Sequence, residues 1–152
     1  MSGPLHIEVM HGVNLDMLGK REPEHYGTLT LAELERQIEG FAGEIGVRTS
    51  FFHTNFEGEY VERLHGLRER VDGVVLNPGA WTHYSWAIHD ALATAALPAV
   101  EVHLSDLKSR EPWRHTSVVG DLCVMSVSGQ GIEGYRLALQ RLQDELSGGP
   151  SA

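Results

Sequence analysis

The segment GVVLNPGAWTHYSWAIHDALATAALPAVEVHL, residues 73–104, reads as strand, helix and strand in one pass. GVVLN (73–77) is a short apolar run closed by Asn-Pro-Gly, residues 83–96 carry an alanine-rich helical face, and AVEVHL (99–104) alternates again. Two strands joined by a helix run parallel, with a right-handed crossover. Outward from this unit, LHIEVM (5–10) and VRTSFFH (47–53) precede it as strands and LCVMSVS (122–128) follows it. Leu31, Leu34, Ile38, Phe41 and Ile45 recur near helical spacing and predict a helix over 30–45, opened by a capping box of Thr30 with Glu33. Similar faces predict helices over 57–71 and 132–146, the last ended by Ser147-Gly148-Gly149-Pro150.

This alternation implies a three-layer α/β domain: a five-stranded parallel sheet, helices on both faces, and a flavodoxin-like strand order. A length of 152 residues with 41% hydrophobic content suits a single domain over 1–152, with a tail at 147–152 expected to be disordered. The net charge of −9 and the lack of a basic stripe argue against nucleic acid as a partner. The lone Cys123 has no intrachain disulfide partner, and no charged start runs into a long apolar segment, so a cytoplasmic chain without a membrane span is expected. The nine histidines are scattered without zinc-like spacing, so no metal is expected either.

In such sheets ligands bind beyond the carboxyl ends of the strands, where the strand order reverses. The loops at 11–27, 53–59, 77–83 and 105–117 all fall at that edge. The first exceeds the roughly 12 residues beyond which an unstructured loop tends to be a lid, and Gly19 and Gly27 are candidate hinges. Glu101 and His103 lie two apart on a strand and so share a face. The carboxylate can hold one ring nitrogen and leave the other to give a proton, beside the anion-binding candidates Ser105, Arg110 and Arg114. GQGIEGY (129–135) has the glycine spacing of a dinucleotide site but lacks the further strand and ribose-binding acid, so close helix-to-sheet packing is its expected use.

Read together, the loops resemble the type II dehydroquinases, also called 3-dehydroquinate dehydratases, over about residues 6 to 140. The resemblance rests on Gly12-Val13-Asn14-Leu15, Leu18-Gly19, Arg21-Glu22-Pro23 and Tyr26-Gly27 in the first loop, and on Asn55 with Glu57-Gly58-Glu59 in the second. It continues through Asn77-Pro78-Gly79-Ala80, Thr82-His83, Ser85 and Asp90-Ala91-Leu92, and through Glu101-Val102-His103-Leu104-Ser105 with Arg110-Glu111 and Arg114. It implies a cofactor-free loss of water from 3-dehydroquinate through an enolate to 3-dehydroshikimate, chemistry shared by the shikimate route to aromatic amino acids and by catabolism. In that reading Tyr26 is the base, Arg21 makes its phenol acidic, and Asn14 steadies the enolate oxygen through a water. His103 is the acid, and Glu101 holds its tautomer. Asn77, His83 and Arg114 grip substrate hydroxyls, the backbone around Leu104 and Ser105 cradles the carboxylate, and Arg110 helps set the lid and the positive field. The resemblance also implies a homo-oligomer, trimers gathered into a dodecamer, with Asp90 reaching into a neighbour's site.

Val13 stands where the family has proline and Asp16 where an uncharged residue is usual, changes expected to loosen the lid and weaken anion binding. Trp81, Trp86 and His89 also depart from the commoner residues. Taken singly, Tyr26 and Arg21 can pack a loop, Asn77 can form a turn and His83 can cap a helix. Their convergence on one sheet edge argues for a site. Two alternatives are a noncatalytic small-molecule binder of the same fold and a flavin-binding electron carrier. The second requires a phosphate loop after the first strand, which Val13-Asn14-Leu15-Asp16 does not provide.

Overall fold

The computed structural model describes residues 3–148. Most of the tail expected at 147–152 lies outside that range; within it, Ser147 donates its N–H to Gln143 O and closes the last helix. Five strands, β1 (His6–His11), β2 (Arg48–His53), β3 (Gly73–Asn77), β4 (Ala99–His103) and β5 (Met125–Ser128), form one sheet in the order β2-β1-β3-β4-β5. Every neighbouring pair is parallel. The helices are α1 (Pro23–Tyr26), α2 (Leu31–Glu44), α3 (Glu57–His65), α4 (Trp86–Ala95) and α5 (Glu133–Leu146).

Strand alternation divides the interior into two cores. Ile7, Val9, Val75, Val100 and Val102 face α2 and α5, where Leu34, Ile38, Leu139 and Leu142 meet them. Met10, Val74, Leu76 and Ala99 face the other way, onto Tyr60 and Leu64 of α3 and Ile88 and Leu92 of α4. Because both faces are covered, the strands read as apolar runs. The Thr30–Glu33 capping box is present at the start of α2. In α5 a Cβ on Gly134 would stand 3.2 Å from both Val102 and Val127 Cγ1, so this glycine lets the helix lie close on β4 and β5.

Several boundaries differ from the sequence-based expectation. The helix predicted over 57–71 stops at His65, where Gly66 breaks the pattern and Leu67 and Val71 turn back into the core. The one predicted over 83–96 begins at Trp86, because the Ser85 hydroxyl accepts the Ile88 N–H as an N-cap. A separate 3-10 turn, Gly79–His83, precedes it. Strand β5 begins at Met125 instead of Leu122, since Gly120–Leu122 coil into another 3-10 turn. The first loop holds a 3-10 turn at Leu15–Met17 and the short helix α1. Leu15 and Leu18, inside the lid expected over 15–27, are buried in the core.

Candidate active site

The strand order reverses between β1 and β3, and their ends lie side by side, with His11 in register with Asn77. Past these ends the two loops nearly touch. Gly12 N–H donates to Asn77 O at 2.8 Å, and a Cβ on Gly12 would fall 2.3 Å from Pro78 O. A Cβ on Gly79, which has φ +67°, would fall 2.7 Å from the Val13 carbonyl oxygen. The paired turns floor a recess of about 120 Å³. Asn14, Arg21 and Tyr26 line it from the first loop, Asn77 and His83 from the third, and His103, Leu104, Ser105, Arg110 and Arg114 from the fourth.

Two other expected residues lie elsewhere. Glu101 is behind the recess, bonded to His103. Asp90 is on the outside of α4, its side chain 83% exposed and hydrogen-bonded to His89, and it takes no part in this chain's own recess. The loop at 53–59 does not line the recess either, but it supports it: Asn55 Oδ1 accepts the Asn14 N–H at 2.7 Å, holding Asn14 at φ 70°. Asn55 Nδ2 donates to Asp16 at 3.2 Å, and His53 Nε2 lies 3.7 Å from the same carboxylate. Asp16, expected to burden the mouth of the site with negative charge, is turned instead toward these two groups.

Arg21, expected to supply the positive charge that makes the Tyr26 phenol acidic, lies across the Tyr26 ring face with its guanidinium carbon 4.2 Å from the centroid. The phenol oxygen instead accepts a hydrogen bond from Arg110 Nη1 at 2.7 Å, and the same nitrogen approaches Ser105 Oγ at 3.3 Å. The Arg110 side chain is only 4% exposed. Arg114 is steadied by Glu111 at 2.8 Å and lies over Trp113.

His103 Nε2 bonds Glu101 Oε2 at 2.6 Å, so Nδ1 is the nitrogen left over. Glu101 is 1% exposed. Its Oε1 accepts from Ser117 Oγ at 2.7 Å, and its Oε2 accepts from Thr82 Oγ1 as well. Burial pushes the Glu101 carboxyl upward, but the His103 hydrogen bond and charge, with the Thr82 and Ser117 hydroxyls, outweigh it and hold the group below its ordinary 4.5. Below pH 4.5 the unfolded carboxyl takes up its proton before the folded one, so this contribution to stability is lost as pH falls. The denaturant midpoint of the native chain is therefore expected to drop more steeply below pH 4.5 than that of Glu101→Gln, and parallel curves would refute this.

His83 stacks on His103 with ring centres 6.4 Å apart. Its Nδ1 is 2.7 Å from Thr116 O, an atom that only accepts, so the proton is on Nδ1 and Nε2 is an acceptor. Burial lowers the His83 pKa from its ordinary 6.5; the charges of His103 and Arg114 add to this, against the opposing pull of the Thr116 bond and Glu101. Among the described residues, no group of His, Cys, Asp and Glu side chains is arranged to hold a metal ion, and no helix is long and apolar enough to cross a membrane.

Thr82, Ser117 and Asn55 are the supporting groups that sequence reasoning did not assign. Thr82 and Asn55 stood inside recognised motifs, yet nothing in their spacing shows which functional side chain each one touches.

The family model for class II dehydroquinase matches residues 5–143. A 3-dehydroquinate dehydratase of Bacillus pumilus is 46% identical over 140 residues, covering 92% of this chain and 95% of that protein. One from Syntrophotalea carbinolica is 49% identical over 134 residues, covering 88% and 90%. The crystal structure of type II dehydroquinase from Propionibacterium acnes superposes with a TM-score of 0.88 at 37% identity, covering 93% of this chain and 98% of that one. With the matched model spanning nearly the whole fold and its loops, the chain belongs to the class II dehydroquinase family.

Proposed function

We propose that this chain converts 3-dehydroquinate to 3-dehydroshikimate by eliminating water, with no cofactor. The observation that carries the proposal is the meeting of two proton-transfer groups on one small recess: Tyr26, hydrogen-bonded by Arg110, and His103, hydrogen-bonded by Glu101. Tyr26 takes the proton from the carbon beside the ketone, and the electron pair moves onto the ketone oxygen as an enolate. A guanidinium N–H on the phenol oxygen stabilises negative charge there, and Arg21 across the ring adds to the positive field. Asn14, held by Asn55, steadies the enolate oxygen through a bound water. As the enolate collapses, the carbon–oxygen bond to the leaving hydroxyl breaks, and His103 Nδ1 supplies the proton that makes it water.

Remaining groups orient the ring. His83 accepts from a substrate hydroxyl through Nε2, Asn77 and Arg114 hold the others, and the backbone at Leu104 and Ser105 receives the carboxylate. Closure of the stretch from Gly19 to Gly27 excludes water. The conjugated enone product absorbs in the ultraviolet, so absorbance growth on mixing with 3-dehydroquinate tests the proposal. A folded chain that binds the compound without turnover would overturn it in favour of a noncatalytic binder.

The same reading supports a cytoplasmic homo-oligomer, trimers gathered into a dodecamer. Asp90 is outside its own recess and exposed, and Tyr84 and Trp86 just before it are 59% and 62% exposed, an unusual outlay of aromatic surface for a monomer. Light scattering is expected to report a mass near twelve times 16.8 kDa, and a monomer at micromolar concentration would refute this.

A further inference from the structure

Behind the acid of this site is a carboxylate with more donors than its task of holding an imidazole requires. Glu101 Oε1 receives Ser117 Oγ at 2.7 Å, and Oε2 receives both Thr82 Oγ1 and His103 Nε2. The direction of these bonds follows from their neighbours. Ser117 Oγ accepts the Gly120 N–H at 3.0 Å and the Val119 N–H at 3.3 Å, which fills its lone pairs and sends its own proton to Glu101. Thr82 Oγ1 and Ser117 Oγ are 3.3 Å apart, a longer contact than either makes with the carboxylate. Thr82 is fully buried, so its hydroxyl has no water to turn to.

Glu101 and His103 share one proton between Oε2 and Nε2. With the proton on the carboxyl, the imidazole carries N–H at Nδ1 while neutral and no longer donates to Glu101. With the proton on Nε2, Glu101 is an anion, and a second proton on Nδ1 makes the imidazolium that can release it. The hydroxyl donors on the carboxylate, Thr82, Ser117 and, at a longer 3.4 Å, Ser126, favour the second arrangement, because each bond is charge-assisted only when Glu101 is ionised.

We infer that Thr82 and Ser117 are positioning residues: they form a hydroxyl clamp that keeps Glu101 ionised, so that His103 holds its proton on Nε2 and presents Nδ1 as the acid. This rests on the acid role proposed above for His103. Neither residue touches the recess; both act through Glu101. The titratable groups around the carboxylate are His103 on its own strand, His83 from the 79–83 turn, Cys123 before β5 and Tyr60 of α3. Burial pushes Cys123 up to about 12 and Tyr60 well above its ordinary value, which leaves the two imidazoles as the neighbours able to change charge at acid pH.

The test is steady-state kinetics across acid to neutral pH on the native protein, Thr82→Val, Thr82→Ser and Ser117→Ala, each with its thermal midpoint. Thr82→Val conserves shape and deletes the hydroxyl. It is expected to lower kcat about 10- to 100-fold, the worth of one hydrogen bond to a charged group, with KM within about twofold. Its acid limb should move up by about one pH unit, because the carboxylate protonates more readily. Ser117→Ala should shift the same limb in the same direction, and it carries the test if Thr82→Val does not fold. Thr82→Ser should restore both kcat and the limb. A folded Thr82→Val or Ser117→Ala with native kcat and native limb overturns the inference. So does a Thr82→Ser as impaired as Thr82→Val, which would mark a packing role for the methyl group. A native protein with no turnover would instead overturn the proposed reaction, a result separate from any of these.

Discussion

Tyr26→Phe should lower kcat by about 10³-fold, the middle of the range for losing a general base. The change removes one oxygen and little else. Arg21 lies over the ring face, and the ring itself packs against the core that holds Leu15 and Leu18, so the lid should keep its shape. KM should therefore stay within about threefold and the thermal midpoint close to native, as expected when a group acts in the transition state. What the variant loses is the bond from Arg110 Nη1 and the atom proposed to receive the substrate proton. Absorbance of the enone product measures it directly. Activity within tenfold of native would mean that another group removes the proton, and the mechanism above would fail at its first step. Substituting Arg110 should be the next most damaging change on this side of the recess, since one guanidinium ties Tyr26 to Ser105.

A comparable loss is expected from a residue with no side chain. Gly12 is not in the left-handed region; its requirement is space. A methyl group there would stand 2.3 Å from Pro78 O and 2.4 Å from Pro78 C, both backbone atoms of a turn whose Gly79 in return lies against the Val13 backbone. No rotamer change relieves that contact, so the β1 and β3 turns must separate. Gly12→Ala should cost about 3 kcal/mol, the upper end for overpacking, which at this chain length lowers Tm by roughly 6 to 12 °C. It should also cost turnover out of proportion, because the same turns carry Asn14 and Asn77. Gly40→Ala, in the middle of α2 with open space where its Cβ would go, is the matched control and should raise stability by up to about 1 kcal/mol. Equal midpoints for the two variants would show that the turns are not in close contact.

The prominence of Gly12 and Tyr26 has different roots. Gly12 was visible only as one member of a motif, since a spacing constraint between Gly12 and Pro78 joins residues far apart in the chain and leaves no local pattern. Tyr26 and Arg21 were both legible, and both do face the recess. Arg21 was expected as the charge beside the phenol, because neighbours in sequence are the natural partners to assume. The oxygen in fact meets Arg110, 84 positions away, while Arg21 takes the ring face. The same holds for His103. Strand alternation put Glu101 beside it, but only packed coordinates distinguish Nε2 as the bonded nitrogen and bring Thr82 onto the same carboxylate oxygen and Ser117 onto the other.

Periodicity alone settled the order of strands and helices, the two-sided burial of the sheet and the edge at which the long loops gather. Those properties depend on which face each residue presents, and the face repeats every two or every 3.6 residues whatever the rest of the chain does. Element ends were less legible: Ser85 rather than His83 starts α4, and Gly66 closes α3, because caps are decided by single hydrogen bonds. Tertiary structure decided which arginine reaches the phenol, which imidazole nitrogen is left for the acid role, and why Asp16 turns to Asn55 and His53 instead of the recess. Such choices are made between side chains on different loops, whose meeting depends on how the sheet brings its strand ends together and on no repeat within any one of them.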